Sequence, residues 1–312
     1  MTSLRYDSGM NLDHLRVLVA VLECGTFTAA AARLRLSQPA VSQHMAALEK
    51  DVGIPLFERA GRLRVPTDAA HELGDRGRAA LAALDDADRT AEELRGLQRG
   101  RLVVGASPTP GAYFVPALLG RFTDQHPDVA LRIDIAEPDD LERRLRTRQT
   151  DLAIVGEFDP GEGILTATLA SDNLVPVWAR SSPLAGIRRV SLERFLQEPF
   201  IARESGSSTR AVLERWLGER GEVLRPSMEL AGVDALKQAV AAGLGVTVAS
   251  ESTVRLEVEK GMLAIGKVAG FPLKRRIDVA LLDGRRPSKA AEEFLSMLLG
   301  PKARKFLAAA RG

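Results

Sequence analysis

Residue types able to bind or transform another molecule are concentrated in a few places along this 312-residue chain. Two hydroxyl-rich loops, Ser107-Pro108-Thr109 and Ser205-Gly206-Ser207-Ser208-Thr209-Arg210, each precede a helix-like run. Free N–H groups at a helix N-terminus, joined by hydroxyls and the helix dipole, form an anion site. Ordinary capping explains a single Ser or Thr at such a place equally well. It explains a four-hydroxyl loop ending in Arg less well. Catalytic alternatives lack parts: His14, His44, His71 and His126 are scattered, and the single cysteine cannot build a zinc site. Neither a G-x-S-x-G elbow nor a P-loop occurs, and the lone G-x-G of "GLGVTV" reads as a tight turn. No catalytic residue, metal or cofactor is expected, and the chain does not read as an enzyme.

A third stretch, "SQPAVSQHMAALE" from Ser37 to Glu49, has apolar residues at Val41, Met45 and Leu48, one helical stripe. Pro39, Ser42, Gln43, Ala46 and Lys50 point the opposite way. Ser37 is placed to cap this helix, and Pro39 falls in the first turn, where its missing N–H costs little. In isolation a solvated face accounts for the polar side. The neighbours supply a context. Leu15, Leu18, Val19 and Leu22 mark an amphipathic helix over 12–24, closed by Gly25. "TFTAAAARLRLS" follows as a short helix capped by Thr26 or Thr28, its Ala run permitting close approach, and the third helix stops at Gly53. Three such helices with short turns make a helix-turn-helix core. Beyond it, "PLFERAGRLRVPT" reads as two strands around Gly61 with Arg59, Arg62 and Arg64 near the tip. Alone, those arginines describe a solvated loop. Beside a helix-turn-helix they suit phosphates.

The totals limit the alternatives. Against 41 acidic residues stand 43 basic ones, so any attraction to nucleic acid is local. One cysteine, Cys24, excludes an internal disulfide and is expected as a buried, inert thiol in a reducing compartment. No apolar run approaches the ~20 residues that span a bilayer, and "MTSLRYDSG" lacks a signal peptide's apolar core. A cytoplasmic protein with no membrane partner is expected.

From Asp68 to about Arg99 the chain is helix-prone, with Leu73, Gly77, Ala80, Leu84, Ala87, Ala91 and Leu94 at alternating steps of four and three. A long helix packed on its own domain would show the same pattern. No second helix of matching length occurs, which favours a contact between two chains through Leu73, Ala80, Leu84, Ala87, Ala91 and Leu94. The small residues imply modest burial, so other surfaces must help hold the dimer. After Gly100, "RLVVGA", "ALRIDIA" and "DLAIVG" alternate with helical patterns, a βαβαβ beginning and hence a parallel sheet. Further strands are expected at "LVPVWA", "PFIA", "GVTVA" and "RRIDVALLD".

The N-terminal third resembles the LysR-type transcriptional regulators. Leu22-Glu23, Gly25-Thr26-Phe27-Thr28, Ala30-Ala31, Leu34, Ser37-Gln38-Pro39-Ala40-Val41-Ser42, Leu48-Glu49, Gly53, Pro55-Leu56-Phe57 and Arg59 carry the likeness. Met10 resembles the usual start of such a chain, leaving residues 1–9 as an extension. "VPTDAA" departs from the usual Leu-Thr-x-Ala-Gly. "GASPTPGAYFVP", "RESGSSTR" and "AVAAGLGVTV" are similar to the family's regulatory domain, closest to the branch controlling cysteine synthesis and carbon fixation.

The resemblance implies an all-α winged helix-turn-helix over 10–67 and a dimerisation linker helix over 68–99. It further implies a two-lobed α/β, periplasmic-binding-protein-like effector domain over 100–300 and a tail over 301–312. Lobe one would comprise 101–172 and 271–300, and lobe two 173–270. Gln38, Pro39, Ser42 and Gln43 would then read base edges, Gln pairing with adenine and Pro touching a thymine methyl. Thr28, Arg33, Arg35, Ser37, Arg59, Arg62 and Arg64 would meet phosphates. Ser107, Thr109, Ser205, Ser207 and Thr209 would face a small-molecule effector. Glu137, where relatives carry Asn, would repel an anion there unless a cation also bound. Expected partners are double-stranded DNA, the effector, further copies in a homodimer or homotetramer, and RNA polymerase if the protein activates. The rivals are a cytosolic small-molecule-binding protein with a non-functional head, and an enzyme on the α/β domain.

Overall fold

Asn11 opens the first described element: its side-chain oxygen accepts the Asp13 N–H at 2.9 Å and caps α1 (Leu12–Cys24). The computed structural model describes residues 11–60, 63–94 and 100–310, which form two units treated separately below. In the first unit, Thr26 caps α2 (Phe27–Leu34) through Ala29 N at 3.1 Å, and Ser37 caps α3 (Gln38–Val52) through Ala40 N at 3.3 Å. Gly25 and Gly53 end α1 and α3 in the left-handed conformation, which glycine adopts without a Cβ penalty. Leu18, Ala30, Val41, Met45 and Leu48 are all wholly buried in the centre of the three helices. Burying a side chain such as Met45 contributes about 2 kcal/mol.

The wing follows as β1 (Phe57–Ala60) and β2 (Leu63–Pro66), antiparallel, with Arg59 opposite Arg64. Gly61 and Arg62 lie outside the described residues. Glu49 of α3 anchors the wing by accepting the N–H groups of Leu56 and Phe57 at 2.8 and 3.0 Å. Despite the unusual "VPTDAA", the exit turn is well satisfied. Thr67 N donates to Leu56 O at 2.9 Å, Thr67 Oγ1 accepts Ala70 N at 3.2 Å, and Ala70 is buried in the head core.

Helix α4 (Asp68–Leu94) corrects part of the heptad reading. Leu73 packs on the head core, and a Cβ at Gly77 would meet Leu15 and Val19 of α1 at 3.4–3.6 Å. The first turns of the seam are therefore spent within the chain. Further along, Leu84 is 42% exposed, Ala87 is exposed, and Ala80 and Ala91 are half-buried. The Leu94 side chain falls outside the described set. Cys24 is also corrected: it is half-exposed at the end of α1, with Arg33 Nη1 3.9 Å from its Sγ.

The second unit begins with β3 (Arg101–Ala106), α5 (Pro108–Tyr113), α6 (Val115–Gln125), β4 (Ala130–Ile135), α7 (Pro138–Arg146) and β5 (Leu152–Gly156). The long strand β6 (Ile164–Ala179) leads to α8 (Leu192–Leu196), β7 (Ile201–Arg203), α9 (Ser208–Gly218), β8 (Met228–Leu230) and α10 (Val233–Ala241). After β9 (Thr247–Ser250), α11 (Glu251–Glu259) and β10 (Leu263–Ile265), β11 (Leu273–Leu282) returns. Helices α12 (Lys289–Leu299) and α13 (Ala303–Ala309) finish the unit.

The main sheet runs β10-β6-β11-β5-β3-β4, with β9 also paired to β6. Strands β4, β3 and β5 are parallel, as the βαβαβ pattern requires, while β11 is antiparallel to both β5 and β6. Among the described residues of this unit the buried apolar side chains form four clusters, of which the two largest belong to different lobes. One gathers Leu102, Val104, Phe122, Ile154, Val279 and Phe294, and the other gathers Leu174, Phe195, Phe200, Leu217 and Val248. Strands β6 and β11 contribute to both, so they are the crossings between the lobes. The tail assigned to 301–312 is corrected: Ala303, Leu307 and Ala310 belong to the first core.

Candidate functional site

The head presents one polar surface. With Val41, Met45 and Leu48 buried, the 100° step leaves Gln38, Pro39 and Gln43 exposed and Ser42 half-buried at the leading end of α3. Gln38 Nε2 donates to Ser42 Oγ at 3.0 Å, orienting both side chains one turn apart. Thr28, Arg33, Arg35, Ser37, Arg59 and Arg64 are exposed around this helix end. Several are also engaged within the chain. Arg33 pairs with Glu23 at 2.6 Å, the Arg64 guanidinium lies 5.1 Å from the Phe27 ring centre, and the Ser37 hydroxyl is the helix cap. Arg35 takes a left-handed φ of 56° at the turn between α2 and α3, a conformation costing about 1–2 kcal/mol for a residue with a Cβ.

In the second unit the structure brings both hydroxyl loops to one place. Ser107 Oγ, at the end of β3, accepts the Gly156 N–H at 3.0 Å. A Cβ on Gly156 would stand 2.5 Å from Ser208 Oγ and 3.3 Å from Arg275 Nη1. Gly156 is thus the point where the loop of one lobe and the α9 N-terminus of the other come together, and a side chain there would have to displace the Ser208 hydroxyl. Thr109 and Ser207 are buried, at 5% and 3% exposure, and neither hydroxyl has a partner among the described residues. Ser205 is exposed, and its backbone N–H donates to Glu229 Oε1 at 3.3 Å.

The organising charge is a residue that motif reading passes over. Arg275 is 1% exposed. Its Nη1 donates to Thr209 Oγ1 at 2.7 Å, and its Nη2 is paired with Asp172. Asp172 stands directly opposite it on β6 and also accepts from Ser250 Oγ at 3.0 Å. Burial weakens the guanidinium's hold on its proton, and the Asp172 charge opposes that shift. A signal was present in "LKRRI": Leu273 and Ile277 face the core, so strand alternation turns Arg275 inward and Lys274 and Arg276 outward.

Across the same cleft, Arg203 at the end of β7 pairs with neighbouring Glu204 and lies 3.9 Å from Glu137 at the start of α7. Burial, together with the adjoining Glu204, pushes the Glu137 carboxyl up to about 7. Burial acts the same way on Glu204, but hydrogen bonding and charge from Arg203 outweigh it and hold that carboxyl down at about 2. The two therefore ionise very differently. A second bridge between the lobes joins Tyr113 of α5 to Lys237 of α10, Nζ to OH at 2.7 Å. Lys237 is itself held by Glu257 at 2.8 Å. Among the described residues no group of His, Cys, Asp or Glu is arranged to hold a metal ion, and no helix is long and apolar enough to cross a membrane.

A winged helix-turn-helix head, with an uncharged polar leading end on its third helix, and an α/β unit crossed twice between its cores by β6 and β11 define a DNA-binding regulator with a ligand-binding domain. Comparison with known proteins agrees. The model of the "bacterial regulatory helix-turn-helix protein, lysR family" matches residues 12–71, and that of the "LysR substrate binding domain" matches 95–300. The chain belongs to the LysR family of transcriptional regulators.

Among its relatives, the RuBisCO operon transcriptional regulator of Allochromatium vinosum is 38% identical over 296 residues, covering 95% of this chain and 97% of that protein. The HTH-type transcriptional activator CmpR of Synechocystis is 35% identical over 287 residues, covering 92% and 94%. These likenesses fall in the carbon-fixation branch. Of solved structures, the Synechocystis CcmR regulatory domain in complex with 2-PG matches with a TM-score of 0.59 at 30% identity, covering 68% of this chain and 98% of that one. CbnR matches with a TM-score of 0.71 at 22% identity, covering 97% and 100%, which supports the fold.

Proposed function

We propose that this regulator reads its operator through Gln38, Pro39, Ser42 and Gln43 in the major groove. Thr28, Arg33, Arg35, Ser37 and the wing residues Arg59, Arg62 and Arg64 would meet the flanking phosphates. One observation carries the reading: α3 buries a complete apolar stripe and exposes an uncharged, hydrogen-bonding end beside exposed arginines. Polar side chains can discriminate base edges, whereas the arginines supply attraction that is independent of sequence. Further along α4, where Leu84 and Ala87 are exposed, the helix pairs two chains into a homodimer or a homotetramer. The functional divisions are then a head over 10–67, a linker over 68–99 and a regulatory domain from 100 onward.

In the regulatory domain the same proposal places a small anionic effector between Ser107 and Thr109 on one side and Ser205, Ser207 and Thr209 on the other, with Glu137 at the rim. The unbonded hydroxyls of Thr109 and Ser207 and the nearby Arg275 support an anion, as does the 2-PG complex of the related regulatory domain. The names of the relatives support genes of carbon fixation as targets. The protein acts in the cytoplasm, with RNA polymerase as a partner at activated promoters, and the α/β unit performs no turnover. Footprinting on promoter fragments of the host's RuBisCO genes, with and without 2-PG, tests the reading. Protection of two half-sites whose extent changes with 2-PG is expected. Absence of protection on those fragments would refute the target, and an unchanged footprint would refute the effector.

A further inference from the structure

The second lobe has another concavity that shares no residue with the cleft. A groove of about 700 Å³ is floored by Val268, Phe271 and Pro272 and rimmed by Arg188, Arg189 and Lys267. That volume is in the range of small-molecule sites. All three cationic side chains are exposed, and none has a hydrogen-bond or ion-pair partner among the described residues. Elsewhere in this lobe Arg194 pairs with Glu198, and half-buried Arg210 pairs with Glu214 and Glu229. One carboxylate, Glu251, also lines the groove, and its Oε2 already accepts from Asn173 Nδ2 at 2.8 Å. The positive charge is therefore in excess where concave, low-dielectric walls focus its field. The floor adds an apolar surface, underlain by Trp178, whose ring fills the space a side chain on Gly266 would take.

The geometry points to a second ligand site, one for an organic anion of two or more charges attached to an apolar body. Arg188, Arg189 and Lys267 hold the charged group, because guanidinium and ammonium donors to an anion form charge-assisted bonds. Phe271 and Pro272 cover the apolar part. Charge alone would serve inorganic phosphate equally, whereas the floor favours a ligand with carbon attached.

Phenyl phosphate and inorganic phosphate serve as probes in calorimetry with the full chain. Phenyl phosphate is expected to bind, inorganic phosphate about tenfold more weakly, and the R188A/R189A double variant to lose about tenfold in affinity for phenyl phosphate. The single variant Lys267→Ala should weaken the same probe severalfold, while Ser207→Ala in the cleft should leave it unchanged. Three results would overturn the assignment: no phenyl phosphate binding at millimolar concentration, equal affinity in the double variant, or loss of binding through Ser207→Ala. The last would put the probe in the cleft. Equal affinities for the two probes would remove the apolar requirement from the proposal.

Discussion

Arg275 Nη1 lies 2.7 Å from Thr209 Oγ1, and through that bond a strand that crosses between the lobes holds the helix N-terminus on the far side of the cleft. The opposite end of the guanidinium is occupied by Asp172, so the residue is both a positive charge beside the cleft and a buried half of an ion pair. Replacing Arg275 by Met leaves Asp172 buried without its cation, a change costing about 3–5 kcal/mol. Urea unfolding should show that loss, and Asp172→Asn in the same chain should recover much of it. A stability change below about 1 kcal/mol, the scale of exposed pairs, would mean the pair is solvated.

Effector affinity should depend on pH through Glu137. Its carboxyl is pushed up to about 7, first by burial and then by Glu204. An anion is tolerated beside the protonated form and repelled by the ionised one. Affinity for an anionic effector should therefore fall as pH rises through about 7. In Glu137→Gln the affinity should stay near its low-pH value across that range. Calorimetry at a series of pH values checks this, and a parallel pH profile in the variant would disprove the role.

For the reading helix, Gln38→Ala or Ser42→Ala should each cost about 1–3 kcal/mol on the operator and almost nothing on random DNA. The two side chains are bonded to each other at 3.0 Å, so the double variant should cost less than the sum. Competition binding with specific and non-specific duplexes measures both. Equal losses on the two would move base reading away from this face.

The wing should behave oppositely. If Arg59 meets a phosphate as proposed, Arg59→Ala should lower affinity for every sequence alike and reduce the slope of log affinity against log salt by about 0.9. Titrations over a range of salt concentrations give the slope directly. A loss confined to the operator would instead make Arg59 a base-reading residue.

Leu84→Glu tests assembly. Leu84 is 42% exposed in the chain by itself, so the substitution spares the head core but puts a charge into a contact between two chains. Sedimentation velocity should show a smaller assembly, with weaker operator binding. Unchanged mass would return α4 to a purely intramolecular role.

The local features of this protein were legible in its sequence. Helix caps at Thr26 and Ser37, glycine stops at Gly25 and Gly53, the buried stripe of α3 and the strands of the wing all follow from rules acting within a few residues. The two hydroxyl loops were visible for the same reason. What the sequence could not apportion was how one pattern is shared among partners. The seam of α4 is periodic throughout, yet Leu73 and Gly77 are used by α1 while Leu84 is left exposed, because α1 covers only the first turns. Arg275 looked like one of several charges on a strand. Its burial depends on Asp172 lying opposite it across a pairing of residues 103 positions apart. Glu137 likewise acquired its high pKa from burial and then from Glu204, which belongs to the other lobe. Desolvation and Coulomb interaction depend on distance in space, and only the tertiary structure sets those distances.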